Sequence, residues 1–260
     1  MKKFFIGISI GIGLLACQSN KTNEKEGDYQ TTQKVYKGDI DEIQVSTSID
    51  AEIIKGQQER VVLEGNEDDL KWVKVKLQNG KLHLYVDSED KINFNFNREI
   101  KAKIYLKDYT TLVANSSGSI VIKDEFTQDK ATLEISSSGE IKGDLKVTNC
   151  KIMASSSGGF DGHVSATNLT VKVSSSADVE ISGKVKKADV SVSSSGDFDG
   201  KELSAKFADL EASSSGDLSI SVSEKAKAEA NSSGDIVIYK KSEHLVTLIE
   251  ENSAGEVKIK

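Results

Sequence analysis

Residues 190–200 read Val190-Ser191-Val192-Ser193-Ser194-Ser195-Gly196-Asp197-Phe198-Asp199-Gly200. An alternating apolar–polar run enters a Ser-Ser-Ser-Gly tetrad, and a second alternating run leaves it. Alternation is the period of a strand with one buried face, not of a helix. The tetrad or a close variant occurs eight times: Asn115–Gly118, Ser136–Gly139, Ser155–Gly158, Ser174–Ala177, Ser193–Gly196, Ser213–Gly216, Asn231–Gly234 and Asn252–Gly255. The last residues of successive tetrads are 21, 19, 19, 19, 20, 18 and 21 apart. Two positions after them stand Ile120, Ile141, Phe160, Val179, Phe198, Leu218, Ile236 and Val257, all apolar. Four positions before them the residues are Ala, Val or Ile, except for Glu251.

About twenty residues are too few for a strand and a packed crossover helix. They suit a coil of short strands, each stacked in parallel on its counterpart in the next coil. One coil cannot bury its inner face, whereas eight stacked coils build a continuous apolar column. At about 4.8 Å per step the column is roughly 34 Å long. The expected fold is therefore all-β: a right-handed parallel β-helix over 114–260, right-handed because crossovers between parallel strands take that hand. The stretch 34–113 alternates too, as in Val73, Val75, Leu77 and then Leu82, Leu84, Val86, with Asn79-Gly80 between them as a hairpin signal. It lacks the tetrads and is expected to form an irregular β region that caps the column, covering backbone groups that invite aggregation.

The chain opens with Lys2-Lys3 and the apolar run Phe4–Ala16, too short for a permanent span and arranged as an export signal. Leu14-Leu15-Ala16-Cys17 reads as a lipobox, so residues 1–16 are expected to be removed and Cys17 to be lipidated. The polar run 17–33 is expected to be a tether to the membrane. Cleavage takes the formal charge from −7 to −9, and an acidic body without a dense basic patch argues against nucleic acid as a partner. With Cys17 lipidated, Cys150 is left alone, so no intrachain disulfide is expected.

A lipobox, a tether, a β-rich start with an Asn-Gly hairpin and then rungs of Ser-Ser-Gly type resemble the head GIN domain family of auto-transporter adhesin type, found in Bacteroidetes-type bacteria. The likeness covers residues 35–260. It implies a β-helical envelope lipoprotein, most naturally at the outer membrane, with an adhesin-like or structural binding role. It brings no binding residues to carry over.

No catalytic residue, metal site or cofactor is expected. The second serine of every tetrad (Ser116, Ser137, Ser156, Ser175, Ser194, Ser214, Ser232 and Ser253) reads by strand parity as inward and structural. A nucleophile needs a histidine within reach, and His83, His163 and His244 sit beside no distinctive motif. Cys150 falls on an inward position and reads as a small core residue. The alternative function is a polysaccharide-binding or polysaccharide-degrading β-helix. Degradation is disfavoured because the two arginines, Arg60 and Arg98, both lie outside the tetrad region. Asp178, Asp197, Asp217 and Asp235 follow four consecutive tetrads at one offset, which predicts an outward acidic row about 5 Å apart. This row is the candidate ligand-facing site, and whether its ligand is a glycan or a surface protein no motif says.

Overall fold

A computed structural model describes residues 29–35, 39–87 and 100–260. The export signal and Cys17 lie outside these residues. The chain forms a parallel β-solenoid of about eight turns. In the regular part, Gly159–Val173, Asp178–Ser193 and Asp197–Ser213 are each strand almost end to end and pair in parallel, coil on coil. Inward side chains are apolar and stack by register: Phe160 on Val179, Val179 on Phe198, Phe198 on Leu218. Phe160 and Phe198 are fully buried, as the repeat alignment requires. Each ring lies over a glycine of its own coil. A Cβ on Gly200 would stand 2.6 Å from Phe198 Cε1, and one on Gly162 would stand 3.0 Å from Phe160 Cζ.

Residues 34–113 supply covering strands and also two coils of the column. The first strands are β1 (Tyr29–Val35), β2 (Glu42–Ser46), β3 (Ile49–Lys55), β4 (Arg60–Asn66) and, after the short helix α1 (Glu67–Leu70), β5 (Val73–Gln78). They continue with β6 (Lys81–Val86), β7 (Ile100–Leu106), β8 (Thr111–Asn115) and β9 (Ser119–Ile122). Strand β2 pairs in parallel with both β6 and β8, and β3 with both β7 and β9. The coil made first in sequence is therefore stacked second, between the coil β6–β7 and the coil β8–β9. On the outer side β5 pairs antiparallel with β6 through the Asn79-Gly80 turn, whose φ values are 49° and 77°. Strand β4 pairs antiparallel with β7 and with β1. These strands close the N-terminal end, with Trp72, Val73, Val75 and Leu77 packed partly against the column.

The interleaved coil contains a ninth corner that the tetrad pattern does not reveal. Where β2 meets β3 the chain reads Ser46-Thr47-Ser48-Ile49, with φ of 62° at Thr47 and 54° at Ser48. Ile43, Val45 and Ala51 take the apolar offsets and are buried. Ile49 replaces the expected glycine, so a search for Ser-Ser-Gly passes over it.

At the other end, the coil formed by Val246–Glu251 and Glu256–Ile259 pairs with neighbours on one side only. Glu251, the exception in the apolar column, is exposed there, and its Oε1 accepts a 2.7 Å hydrogen bond from the Val257 backbone N–H. A carboxylate is tolerated at this core offset because no further described coil covers it.

Candidate functional site

Every tetrad makes the same corner. Its second and third residues have φ between 49° and 64°, so two successive L-residues occupy the left-handed region. Both side chains are exposed, and the fourth residue is buried in all but the last corner. The inward placement expected for Ser116, Ser137, Ser156, Ser175, Ser194, Ser214, Ser232 and Ser253 is therefore corrected. Strand parity stops at the first left-handed residue, and the turn throws two consecutive side chains outward.

Backbone bonds hold the corner. The glycine N–H donates back to the first residue's carbonyl, as in Gly139 to Ser136 at 2.9 Å. The third residue's N–H donates to the second residue's carbonyl in the next coil, as in Ser195 to Ser214 at 3.2 Å. This second set repeats from Ser48 to Ser253. Left-handed L-residues cost about 1–2 kcal/mol each, and two hydrogen bonds per corner offset part of that cost. What reaches solvent is a double file of hydroxyls along one edge.

The acidic row stands beside that file. Asp178, Asp197, Asp217 and Asp235 are register partners in successive coils, and Glu256 continues them. All are exposed. Asp50 takes the same offset after the ninth corner. Crowding by neighbouring atoms, followed by the negative charges of Asp178, Asp217 and Asp199, raises the Asp197 carboxyl above the ordinary range. A recess of about 200 Å³ opens along the row, lined by Asp197, Asp217, Ser219, Asp235, Glu256 and Lys258. Lys258 pairs with Glu256 at 2.6 Å. Among the described residues, no group of three or more His, Cys, Asp or Glu is arranged to hold a metal ion.

Sequence reasoning also missed two serine–histidine contacts. Ser46 Oγ lies 3.1 Å from His83 Nε2, and Ser182 Oγ lies 3.2 Å from His163 Nδ1. The first joins the hidden corner to β6, a neighbour in the stack but far away in sequence. Desolvation, then the charges of Lys81 and Lys76, lowers the pKa of His83, which favours the neutral form of the ring. Neither imidazole has a carboxylate hydrogen-bonded to its other nitrogen among the described residues, so neither pair is oriented as a triad is. Cys150 is buried, stacked between Ala131 and Leu169, and burial pushes its thiol up to about 12. It is a core residue without thiolate character.

A turn of two left-handed residues repeated in a stacked column, with an interleaved first coil, is the geometry on which the comparisons bear. Residues 39–242 match the family described as "Putative auto-transporter adhesin, head GIN domain". The chain belongs to this family. A comparison with curated proteins finds no match. Among solved structures, a "putative adhesin" from Parabacteroides merdae has a TM-score of 0.80 at 14% identity, over 90% of this chain and 97% of that one. A "putative lipid binding protein" from Parabacteroides distasonis has a TM-score of 0.77 at 24% identity, again over 90% and 97%. A second P. distasonis structure, a "putative adhesin", scores 0.78 at 16% identity, over 90% of this chain and 98% of that one. At these identities the likeness is one of fold. The head GIN solenoid is shared almost end to end.

Proposed function

We propose that this head GIN protein is a non-enzymatic, lipid-anchored envelope protein that binds through its solenoid surface in an adhesin-like or structural role. The observation that carries this reading is the repeated edge: paired exposed hydroxyls beside an in-register row of Asp178, Asp197, Asp217, Asp235 and Glu256. A surface that repeats at each coil suits a repetitive or extended partner, since contacts multiply along it without a deep cleft. Catalysis is disfavoured because, among the described residues, both serine–histidine contacts lack an orienting carboxylate. Cys17 supplies the anchor, two lipid signals on one cysteine giving the stable attachment that a single chain does not. The outer membrane, facing the periplasm or the outside, is the proposed location.

Two measurements test the reading. Cys17→Ser should move the protein from the membrane fraction to the soluble fraction, and retention of the variant after a high-salt wash would refute the anchor. A binding screen of the intact protein in detergent against glycans and surface proteins should give at least one saturable ligand. Hydrolysis of a screened glycan or ester that is abolished by Ser46→Ala would replace the binding role with an enzymatic one.

A further inference from the structure

A different corner of the coil carries the most distinctive chemistry outside the hydroxyl edge. Within Asp178–Ser193 two successive side chains, Lys186 and Lys187, are both exposed, and the same break in alternation falls at Lys206-Phe207 one coil later. By register, Asn149, Asn168, Lys187, Phe207 and Lys225 form one outward line across five successive coils. Phe207 is 38% exposed, and with Tyr29 it is one of two exposed aromatic rings among the described residues. Tyr29 lies on the covering strand β1, so Phe207 is the exposed ring of the coils. A lysine stands about 4.8 Å to either side of it along the line.

The backbone is irregular at this place. Pairing between Asp197–Ser213 and Asp217–Ala230 shifts register between Gly200 and Ser204 and again between Ala205 and Phe207. Bulges re-aim side chains and recur beside functional surfaces. Toward the N-terminal end the same corner opens into a groove of about 340 Å³ whose polar lining is Thr127, Gln128, Lys146, Thr148, Ser165 and Thr167. The cations beyond it are largely free. Lys184, Lys186, Lys187 and Lys225 have no ion pair among the described residues, whereas Lys206 holds Glu224 at 3.0 Å. Other carboxylates flank the corner: Asp189 and Asp209 sit two positions further along their strands, Asp129 follows Gln128 at the groove, and Glu125 holds Lys146 there at 3.1 Å.

We infer that this corner, from the Thr127–Thr167 groove to Phe207 and Lys225, is a binding track for a linear acidic polysaccharide. The three components fit its three kinds of group. Hydroxyl and amide side chains of the groove bond sugar hydroxyls, the lysines meet carboxylates, and the Phe207 ring takes the C–H face of one sugar ring. Five coil-to-coil steps make the track about 24 Å long, enough for several sugar units. Hydroxyl and amide side chains outnumber the lysines along the track, which suits a chain carrying many hydroxyls between its charges better than an anionic membrane face. The inference names a ligand class for the binding role proposed above and rests on that reading.

The test is calorimetric titration of the intact, detergent-solubilised protein with oligogalacturonates of increasing length. Neutral oligosaccharides of matched length, anionic vesicles and the hits of the surface-protein screen serve as comparators. Affinity should rise with length until the oligomer spans the track, and should fall as salt is added. Phe207→Ala and the pair Lys187→Gln with Lys225→Gln should each weaken binding about tenfold or more, with unchanged thermal melting. Lys142→Gln, an exposed lysine on neither the track nor the acidic row, should leave it unchanged. Equal binding of neutral oligomers, unaltered affinity in the Phe207 and lysine variants, or binding to vesicles alone would overturn the inference. If a surface protein binds and no uronate does, the track fails while the general binding role survives. If nothing binds, both fail.

Discussion

Ser194 and Ser195 hold φ of 53° and 59°, a conformation in which an L-residue is strained and a β-branched one more so. Ser195→Gly should therefore change stability by less than about 1 kcal/mol, relief of strain being balanced by added freedom in the unfolded chain. Ser195→Val should destabilise by about 1–3 kcal/mol in a denaturant titration, and a neutral valine would contradict the left-handed corner. The buried fourth residue is constrained by space instead. A Cβ on Gly139 would meet the Ala114 carbonyl oxygen at 2.3 Å, whereas one on Gly159 finds only the Asp178 carbonyl at 3.8 Å. Gly139→Ala should cost about 1–3 kcal/mol and Gly159→Ala less than about 0.5 kcal/mol. The first figure stays moderate because Ala177 occupies the same place in its own coil and is fully buried there. In the column, Phe198→Ala should cost about 3–5 kcal/mol through lost burial and a cavity. The exposed Lys142, which pairs with Glu140 at 2.7 Å, should cost no more than about 0.5 kcal/mol on replacement by Ala.

Strands and corners were unequally legible in the sequence. Strand faces follow from alternation, and Ile120 through Leu218 land in the core as read. Corners do not, because parity applies only while φ stays extended, and nothing in Ser-Ser-Ser-Gly announces two left-handed residues. That is why the second serines were misplaced while their apolar neighbours were not. The contact of Ser46 with His83 was hidden for a related reason: it depends on which strands are stacked, and Ser46-Thr47-Ser48-Ile49 lacks the glycine that marks other corners. The acidic row was legible as a row because one offset in a regular coil is one line in space, and its electrostatics then follow. The folded pKa of Asp197 lies above the unfolded value of about 3.8, so its ionised form opposes folding. That penalty is fully present above the raised folded pKa and disappears as the pH falls toward 3.8. Stability should therefore gain from this group as the pH falls through its raised folded pKa toward 3.8, and Asp197→Asn should remove its contribution while raising the melting temperature at pH 7. A melting temperature that drops on this substitution would mean that the carboxylate has a stabilising partner. Calcium that raises the melting temperature of the parent protein alone would identify that partner as a cation.

Over the whole molecule, stability is a sum of coil terms and coil-to-coil interfaces, so the two ends behave differently. The N-terminal end is closed by β5 on one face and by β4 and β1 on another, while the last coil is held from one side and by Glu251. Hydrogen exchange should be fastest in Val246–Ile259 and slow toward the middle. Glu251→Ala should speed exchange of the Val257 amide without altering protection in Phe160–Val192, and equal protection before and after the change would remove the role given to this carboxylate. The interleaving of β2–β3 between β6–β7 and β8–β9 bears on kinetics. A solenoid built in chain order grows by laying each new turn on the last, a local act with little loop to close. Here the first turn must be clasped from both sides by strands that come later, β6 and β7 on one side and β8 and β9 on the other, before any repeat has a template. Closing those loops puts the rate-limiting step at the start, and everything after Ile122 should follow as a zipper. Val45→Ala should then slow refolding, and Ile236→Ala should mainly hasten unfolding. A chain that emerges N-terminus first thus cannot lock its opening turn until more than a hundred residues are out, and during that interval the edges of β2 and β3 are bare to any strand that passes.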